Sequence, residues 1–278
     1  MQNQIIPCLW FSANSNEVAE YYTGVFNDCF IESSNPVVTM LQIMGSRMMF
    51  LNGGDNFKVN PAISYFIYCG SSDEAERLFE VLSDGGKVMI PLGKYDWAEM
   101  YAWVEDKFGV SWQIDADDIN VKEKVIPALL FTGLKVNMVS RASEFYSEVF
   151  EPSMHLFKMP AAPELGMNPG AIIFSQVKLL HSVINLMAGP GQHNFDFTPG
   201  NSFCVICDTQ AEIDYYWDKL GADGRYDMCG WLADQFGVSW QIVPAGLGDW
   251  ISHPEKGKDS IEAMLKMKKL IISELKND

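Results

Sequence analysis

The sequence has no apolar run near the roughly 20 residues that a membrane-spanning helix needs. Its first residues, MQNQIIPCLWFSAN, lack the basic and apolar regions of a secretory signal. These absences predict a cytoplasmic protein. The 278 residues are 48% hydrophobic and 20% charged, which is typical of a folded globular chain. A chain of this length accommodates two domains of ordinary size, each with its own core.

Basic residues are scarce. The chain carries 20 Lys and Arg residues against 36 Asp and Glu residues, which gives a formal net charge of −16. Six of the basic residues lie within positions 254–278, so the rest of the chain is more acidic still. Nucleic-acid binding depends on cationic side chains that release counterions from phosphate. We therefore expect no nucleic-acid partner and no association with anionic membranes.

Cysteines and histidines with metal-ligand spacing are lacking as well. Cys204 and Cys207 lie three residues apart in NSFCVICD, a predicted strand, where their side chains face opposite sides and cannot clamp one metal ion. We interpret all six cysteines as reduced. The four histidines, interpreted as structural, are His155, His181, His193 and His253. Whether His181 and His193 meet in space stays open.

The most prominent feature that is present is internal repetition. The stretch FGVSWQI occurs at residues 108–114 and again at 236–242. Other blocks recur in the same order: IIPCLWFSA with VIPALLFTG, AEYYTGVF with SEFYSEVF, and NPAISYFIYC with TPGNSFCVIC. The chain is therefore a tandem duplication, and the polar stretch DADDINVKEK lies near the join.

Each half is predicted to contain two units of one strand, one helix and three strands, so that the chain has four βαβββ modules. The last module is shorter, because RYDMCGWLAD stands where the first half has VMIPLGKYDWAEMYAWVED. The two halves therefore cannot present identical clefts. After the modules, the apolar spacing over Asp259–Leu275 predicts an amphipathic helix. It docks on the body or on a partner subunit in one interpretation, and lies on a membrane surface in the other.

These patterns resemble the vicinal oxygen chelate superfamily, which includes glyoxalases, bleomycin-resistance proteins and ring-cleaving dioxygenases. CGWLADQFGVSWQIVP followed by AMLKMKKLIISEL is similar to the PhnB-like family, and MIPLGKYDWAEMYAWVEDKFGVSWQI resembles another branch of it. The resemblance implies an α+β fold with two glyoxalase/bleomycin-resistance-like domains, 1–118 and 123–250, and a C-terminal helix at 254–278. Each half would pair its own two modules into a concave cup.

Half-length members of that family generally act as homodimers, so the resemblance implies a pseudo-dimer within one chain, with further association into a homodimer left open. Metal-using members of the superfamily place ligands on the first, fifth and last strands. The corresponding positions are Pro7 or Cys8, Pro127 or Ala128, Ser64, Ser202, Gln113 and Gln241. None is His, Glu or Asp, the donors that hold a catalytic divalent metal. We expect no metal and no cofactor, and no G-x-G-x-x-G loop supports the methyltransferase description that family members have carried.

The Gln in each repeated stretch is the main candidate for a site. We pair Gln113 with Ser64 and Gln241 with Ser202. Each pair either anchors a ligand's carbonyl or hydroxyl, or its two side chains satisfy each other's hydrogen bonds across adjacent strands. Both interpretations carry equal weight. Strand alternation places Trp112 against the helices. The candidate ligand-binding residues are Ser64, Trp103, Gln113, Ser202, Cys229, Trp231 and Gln241.

The sequence thus favours a protein that binds an unknown small organic ligand in cups lined by aromatic and Met residues. The alternative is a metal-dependent lyase or dioxygenase-like enzyme of the same superfamily with unconventional ligands. A third interpretation, that one half is purely structural, follows from the shortened last module.

Overall fold

The computed structural model describes residues 4–12, 14–119 and 122–276. Its helices are α1 Ser15–Val25, α2 Ser72–Ser83, α3 Val139–Val149, α4 Gln210–Gly221, α5 Leu247–Ile251, α6 Gly257–Lys266 and α7 Ile272–Lys276. The strands of the first half are β1 Gln4–Phe11, β2 Cys29–Ser34, β3 Val38–Ile43, β4 Ser46–Asn52, β5 Ile63–Tyr68, β6 Lys87–Tyr95, β7 Ala98–Glu105 and β8 Ser111–Asp115. Those of the second half are β9 Val125–Thr132, β10 Ser153–Pro160, β11 Ile172–Leu179, β12 Ser182–Gly189, β13 Asn201–Cys207, β14 Arg225–Tyr226, β15 Trp231–Ala233 and β16 Ser239–Pro244. No helix in these ranges is long and apolar enough to cross a membrane.

The four predicted βαβββ modules are confirmed. They are β1–β4 with α1, β5–β8 with α2, β9–β12 with α3, and β13–β16 with α4. Local signals set the helix starts: the Ser71 hydroxyl caps α2, and Thr209 and Glu212 form a reciprocal capping box at α4. In α1, Val18, Tyr22 and Val25 form the buried face.

The modules pair differently from the expected arrangement within each half. One sheet has the strand order β14-β15-β16-β13-β1-β4-β3-β2, and the other has β10-β11-β12-β9-β5-β8-β7-β6. Module one therefore joins module four through antiparallel β1 and β13, and module two joins module three through β5 and β9. The expectation of one cup per half is wrong in this respect. An unpaired strand edge is satisfied equally by any module's first strand, so the strand pattern cannot select the partner.

Each sheet has one face against the helices and one face away from them. The helix-side residues of all four modules form a single core cluster, which includes Leu9, Tyr65, Leu129 and Phe203. The opposite faces carry two separate clusters. We call these faces cup A, which bears Cys8, Met49, Ser202 and Gln241, and cup B, which bears Ala128, Asn185, Ser64 and Gln113.

The repeated FGVSWQI stretch forms a turn that is held by a buried carboxylate. Asp106 Oδ1 accepts hydrogen bonds from the backbone N–H groups of Phe108 (2.9 Å) and Val110 (3.0 Å). Its Oδ2 accepts from the Trp112 indole (2.9 Å) and from the Tyr22 hydroxyl on α1. Trp112 is fully buried against the helices, as the strand alternation predicts.

The second copy repeats this arrangement. Asp234 accepts from the backbone of Phe236 and Val238, from the Trp240 indole (2.9 Å) and from the Tyr146 hydroxyl (2.7 Å). Burial raises the pKa of Asp234 to about 6, although the four donors pull it in the opposite direction. We call each set of Asp, Trp and Tyr a latch, because it ties the last strand of a module to a helix of another module.

The C-terminal segment differs from the single helix predicted over Asp259–Leu275. It forms α6 and α7 with a non-helical stretch between them. The reason lies in the short β14–β15 hairpin, where the backbone N–H groups of Cys229 and Gly230 donate to the carbonyls of Met267 and Lys268 (both 2.7 Å). Carbonyls used in this way do not continue a helix, and an apolar pattern alone does not reveal that competition. The C-terminal segment docks on the rest of the chain, as one of the two interpretations predicted, and Leu270 and Leu275 are fully buried there.

Candidate functional site

The floor of cup B is a closed hydrogen-bond network. Gln113 Nε2 donates to Ser64 Oγ at 2.6 Å and approaches the Met187 sulfur at 3.5 Å. The Tyr101 hydroxyl donates to Gln113 Oε1. Gln113 and Ser64 are both fully buried. In this cup the amide therefore has partners on both its donor and its acceptor side, so the mutual-satisfaction interpretation of the pair describes the geometry.

The walls of cup B are aromatic and densely packed. Trp103 donates its indole N–H to Ser111 Oγ at 2.6 Å. The long β6–β7 hairpin adds Tyr95 and Trp97, whose stacked rings are 5.0 Å apart, and both rings meet Tyr101 edge-on. The hairpin therefore covers the floor of this cup.

One side of cup B carries further polar groups. Asn185 Oδ1 accepts from Gln176 Nε2 at 2.9 Å, and the Tyr68 hydroxyl lies beside both amides. Burial raises the pKa of Tyr68 to about 12 and that of Asp115 to about 6. Asn185 Nδ2 is buried without a hydrogen-bond partner among the described residues.

The floor of cup A has the same Gln–Ser pair, but its Gln side chain makes fewer hydrogen bonds than Gln113 does in cup B. Gln241 Nε2 donates to Ser202 Oγ at 3.0 Å. Within the described ranges, Gln241 Oε1 has no hydrogen-bond partner. The Cys8 thiol lies beside both side chains, and burial raises its pKa to about 11, so the thiol is neutral. Cup A thus presents a free carbonyl oxygen above a neutral floor.

The walls of cup A combine indoles with sulfur-containing side chains. Trp231 pairs with Gln241 across β15 and β16, and its ring lies 5.9 Å from that of Trp10. Phe57 meets Trp10 edge-on at 5.1 Å. The Trp231 indole N–H has no acceptor in the described part of the chain, whereas its counterpart Trp103 has one. Met40, Met49 and Cys204 complete the apolar side of the cup.

Cys229, one of the candidate ligand-binding residues, does not share the cup face of Trp231. It occupies the position that corresponds to Tyr101, two residues before the wall Trp, but β15 begins only at Trp231. Its φ of 59° breaks the strand alternation. Burial raises the pKa of its thiol, so the thiol is not activated as a nucleophile.

The residues that line the cups do not fit a catalytic divalent metal. Adjacent strands bring together Cys8, Met49, Ser202 and Gln241 in cup A, and Ala128, Asn185, Ser64 and Gln113 in cup B. Across residues 4–12, 14–119 and 122–276, no three His, Cys, Asp or Glu side chains come close enough to hold a metal ion. Neutral amides, hydroxyls and thioethers cannot replace the imidazoles and carboxylates that such a metal requires.

The histidines do not belong to the floor of either cup, and His193 lies at the edge of cup B, where its ring is 5.2 Å from that of Phe195. All four are exposed. His181 and His193 flank opposite ends of β12, so they do not meet. Cys204 faces cup A whereas Cys207 belongs to the helix-side core, so the predicted opposite orientation of these two thiols is confirmed.

Sequence reasoning missed Tyr101 and Trp10, which decide how the two cups differ. Tyr101 lies two residues before Trp103, and Trp10 lies two residues after Cys8. Period-two alternation along a strand would have placed both on the cup face. The signal was present, but it could not show which of the many aromatic residues reaches the Gln.

Comparisons with known proteins agree with this architecture. The profile of the family described as 3-demethylubiquinone-9 3-methyltransferase matches residues 3–115 and 123–243. A PhnB protein from Bacillus cereus, described as a putative 3-demethylubiquinone-9 3-methyltransferase, is 26% identical; the match covers 40% of this chain and 96% of that one, with a TM-score of 0.36. Glyoxalase I from Zea mays is 11% identical over 87% of this chain and 93% of its own, with a TM-score of 0.58, which supports the fold. A comparison with curated proteins finds no match.

The methyl donor that the family description implies does not fit the loops of this chain. Such a donor is usually held at a Gly-rich turn between a strand and a helix. The loop from β5 to α2 has one glycine, Gly70, and the loop from β13 to α4 is only Asp208 and Thr209. Neither loop therefore offers a Gly-rich backbone cradle for a methyl donor.

Proposed function

The chain belongs to the PhnB-like 3-demethylubiquinone-9 3-methyltransferase family of the vicinal oxygen chelate fold, and from this premise we propose that it binds a small, uncharged organic molecule in a cup without a catalytic divalent metal. The observation that carries the proposal is the buried Gln–Ser pair on the floor of the sheet. An amide held in place by a hydroxyl offers a fixed polar contact at the base of an apolar wall.

The chemistry of the floor supports an uncharged ligand. The residues around the pair in cup A are a neutral thiol and two thioethers, Cys8, Met40 and Met49. Arg47, which acts on Cys204 of the same face, is paired with Glu32. A charged ligand would lose its hydration there without a compensating partner. An uncharged molecule loses little hydration and gains apolar contact.

The proposal is tested by metal analysis of the purified protein together with thermal-shift titrations. Zn²⁺, Ni²⁺, Mn²⁺ and Fe²⁺ form one series, and a library of neutral aromatic and aliphatic compounds with hydroxyl or carbonyl groups forms the other. We expect substoichiometric metal, no saturable shift with the ions, and saturable stabilisation by members of the organic library. A stoichiometric metal, or a saturable shift with one ion, would favour a metal-dependent lyase or dioxygenase-like enzyme instead.

A further inference from the structure

We propose that cup A alone takes the ligand, and that the ligand is a planar, uncharged molecule with one hydrogen-bond donor, whereas cup B is filled by its own side chains. This inference rests on the proposed function and assigns it to one of two sites that the duplication would otherwise make equivalent. Matched positions in the two cups differ in three respects.

The first difference is the state of the Gln acceptor. In cup B the Tyr101 hydroxyl occupies Gln113 Oε1. In cup A the corresponding residue is Cys229, whose backbone N–H is directed to the carbonyl of Met267. Gln241 Oε1 keeps no partner in the described chain although only 7% of the residue is exposed. Because this oxygen is not among the buried atoms that lack a partner, it is open to solvent, and a ligand's donor would replace water there.

The second difference is the cover over the floor. In cup B, β6 and β7 run for nine and eight residues and carry Tyr95 and Trp97 across the floor. In cup A, β14 and β15 have two and three residues. As a result Trp231 is half-buried where Trp103 is 9% exposed. The shortened hairpin therefore leaves cup A accessible.

The third difference is the wall that a ligand would contact. Trp10 stands in cup A where cup B has Leu130, and the rings of Trp10 and Trp231 lie 5.9 Å apart at an interplanar angle of 68°. Two indoles at this angle give a flat ligand one face and one edge to pack against. Trp231 is the cross-strand partner of Gln241, so the two side chains extend from the same face of the sheet. A planar ligand with a hydroxyl or N–H that reaches Gln241 Oε1 fits this arrangement.

One charged side chain, Arg47, lies two residues before Met49 on β4 and acts electrostatically on Cys204 of cup A. Arg47 on β4 lies opposite Gln42 on β3. Its guanidinium forms an ion pair with Glu32 at 2.8 Å and donates a hydrogen bond to the Gln4 side chain. The positive charge is therefore already neutralised by a neighbouring carboxylate. This pairing, together with the overall charge of −16, favours an uncharged ligand over an anion.

Cup B contains one feature that points the other way. Asn185 Nδ2 is buried without a hydrogen-bond partner in the described chain. The Tyr68 hydroxyl lies beside this amide and beside that of Gln176, and Asn185 itself has no solvent access. A ligand could reach it only after the aromatic cover moved. The test therefore includes a variant at this position.

The experiment uses the full chain with 2-naphthol, which is planar and has one donor, and with 2-methoxynaphthalene, which has none. Binding is followed by quenching of Trp fluorescence, and stoichiometry by isothermal titration calorimetry. We expect one 2-naphthol per chain, about tenfold weaker binding of 2-methoxynaphthalene, and a similar loss for 2-naphthol in Gln241→Met. Met49→Phe, which fills the half-buried side of cup A, should weaken binding in a second, independent way. Asn185→Leu in cup B should leave it unchanged.

The outcomes separate this inference from the proposed function. Two binding sites per chain would overturn the assignment to cup A while a binding function stands. The same conclusion would follow if Gln241→Met kept binding while either Asn185→Leu or Gln113→Met lost it. Tighter binding of 2-naphthoate than of 2-naphthol would overturn the uncharged class. If 2-naphthol does not bind while other members of the neutral library do, the ligand class proposed here is wrong. If no neutral compound binds, the proposed function itself fails.

Discussion

The duplicated latch offers a quantitative test, because the same hydrogen bond occurs twice in one chain. Tyr146→Phe removes the hydroxyl that donates to Asp234 at 2.7 Å and keeps the ring. That ring packs against Phe145, Phe236 and Trp240, so no cavity is created. The substitution therefore isolates one charge-assisted hydrogen bond in the core.

The expected loss follows from the nature of the acceptor. Hydrogen bonds to a charged group contribute about 1.5–3 kcal/mol, and a bond to a neutral group about 1 kcal/mol. With three donors left on Asp234, we expect Tyr146→Phe to lower the free energy of unfolding by about 2 kcal/mol. For a chain of 278 residues that corresponds to a decrease in Tm of about 3–4 °C.

The pH dependence gives the prediction its sign. Burial raises the pKa of Asp234 to about 6, above the ordinary value of 3.8. A raised pKa of an acid in the folded state means that its stabilising contribution is complete below about pH 4 and is lost as pH rises through 6, by about 3 kcal/mol in all. Removing a donor raises this pKa further. The deficit of Tyr146→Phe should therefore be larger at pH 8 than at pH 5.

The assay is urea and thermal unfolding followed by Trp fluorescence at pH 5 and pH 8. Tyr22→Phe, which acts on Asp106 in the other latch, serves as the internal replicate. Tyr21→Phe is the control, because its hydroxyl donates to the carbonyl of Val81 at 3.2 Å and should cost 1 kcal/mol or less. Equal deficits for Tyr21→Phe and Tyr146→Phe, or a larger deficit at pH 5 than at pH 8, would refute the reasoning.

Three further predictions concern other parts of the fold. Gly224→Ala should destabilise the protein by about 3 kcal/mol or more, because a Cβ there would lie 2.0 Å from the Ala233 carbonyl oxygen; thermal unfolding checks this, and Gly248→Ala in α5, with open space around it, should not destabilise. Gln210→Ala removes the hydrogen bonds to Leu270 and Ile272 that hold the C-terminal segment, so limited proteolysis should cut near residues 267–276 faster than in the wild type. Iodoacetamide at pH 7.5 should leave Cys8 and Cys204 unmodified in the native protein, since both are buried with raised thiol pKa values; rapid alkylation of either thiol, read by peptide mass spectrometry, would contradict that.

The module order was predictable from the sequence, because each module has strong local signals. The apolar face of α1 and the capping residues of α2 and α4 depend only on neighbours in the chain. The choice of partner module was not predictable. The edge of β1 could pair with β5 or with β13, and its hydrogen bonds would be satisfied equally in both cases.

The sequence predicted the Gln–Ser pairs on the floor of the candidate site, but not which amide oxygen accepts a further hydrogen bond. Alternation placed Gln113 and Gln241 on the face away from the helices, and the structure brings each within hydrogen-bond distance of the expected Ser. Whether a third side chain donates a hydrogen bond to the Gln amide oxygen depends on the length and path of the preceding hairpin. The path of a hairpin depends on tertiary contacts, so the sequence alone does not predict the Tyr101 contact in cup B or its absence in cup A.

The duplication explains why one cup can close without loss of the fold. Each latch joins the two modules of one half, and so one sheet to the other, on the helix side, where Asp106 and Asp234 keep equivalent partners. The cup faces carry no part of that network, so substitutions there alter the cup without loosening the latch. Tyr101 and the long β6–β7 hairpin fill cup B, whereas the shortened hairpin and Cys229 leave the Gln241 oxygen without a donor. Stability is thus maintained twice on the helix side, while the cup faces are free to differ, and the proposed ligand site lies in the cup whose polar floor is incomplete.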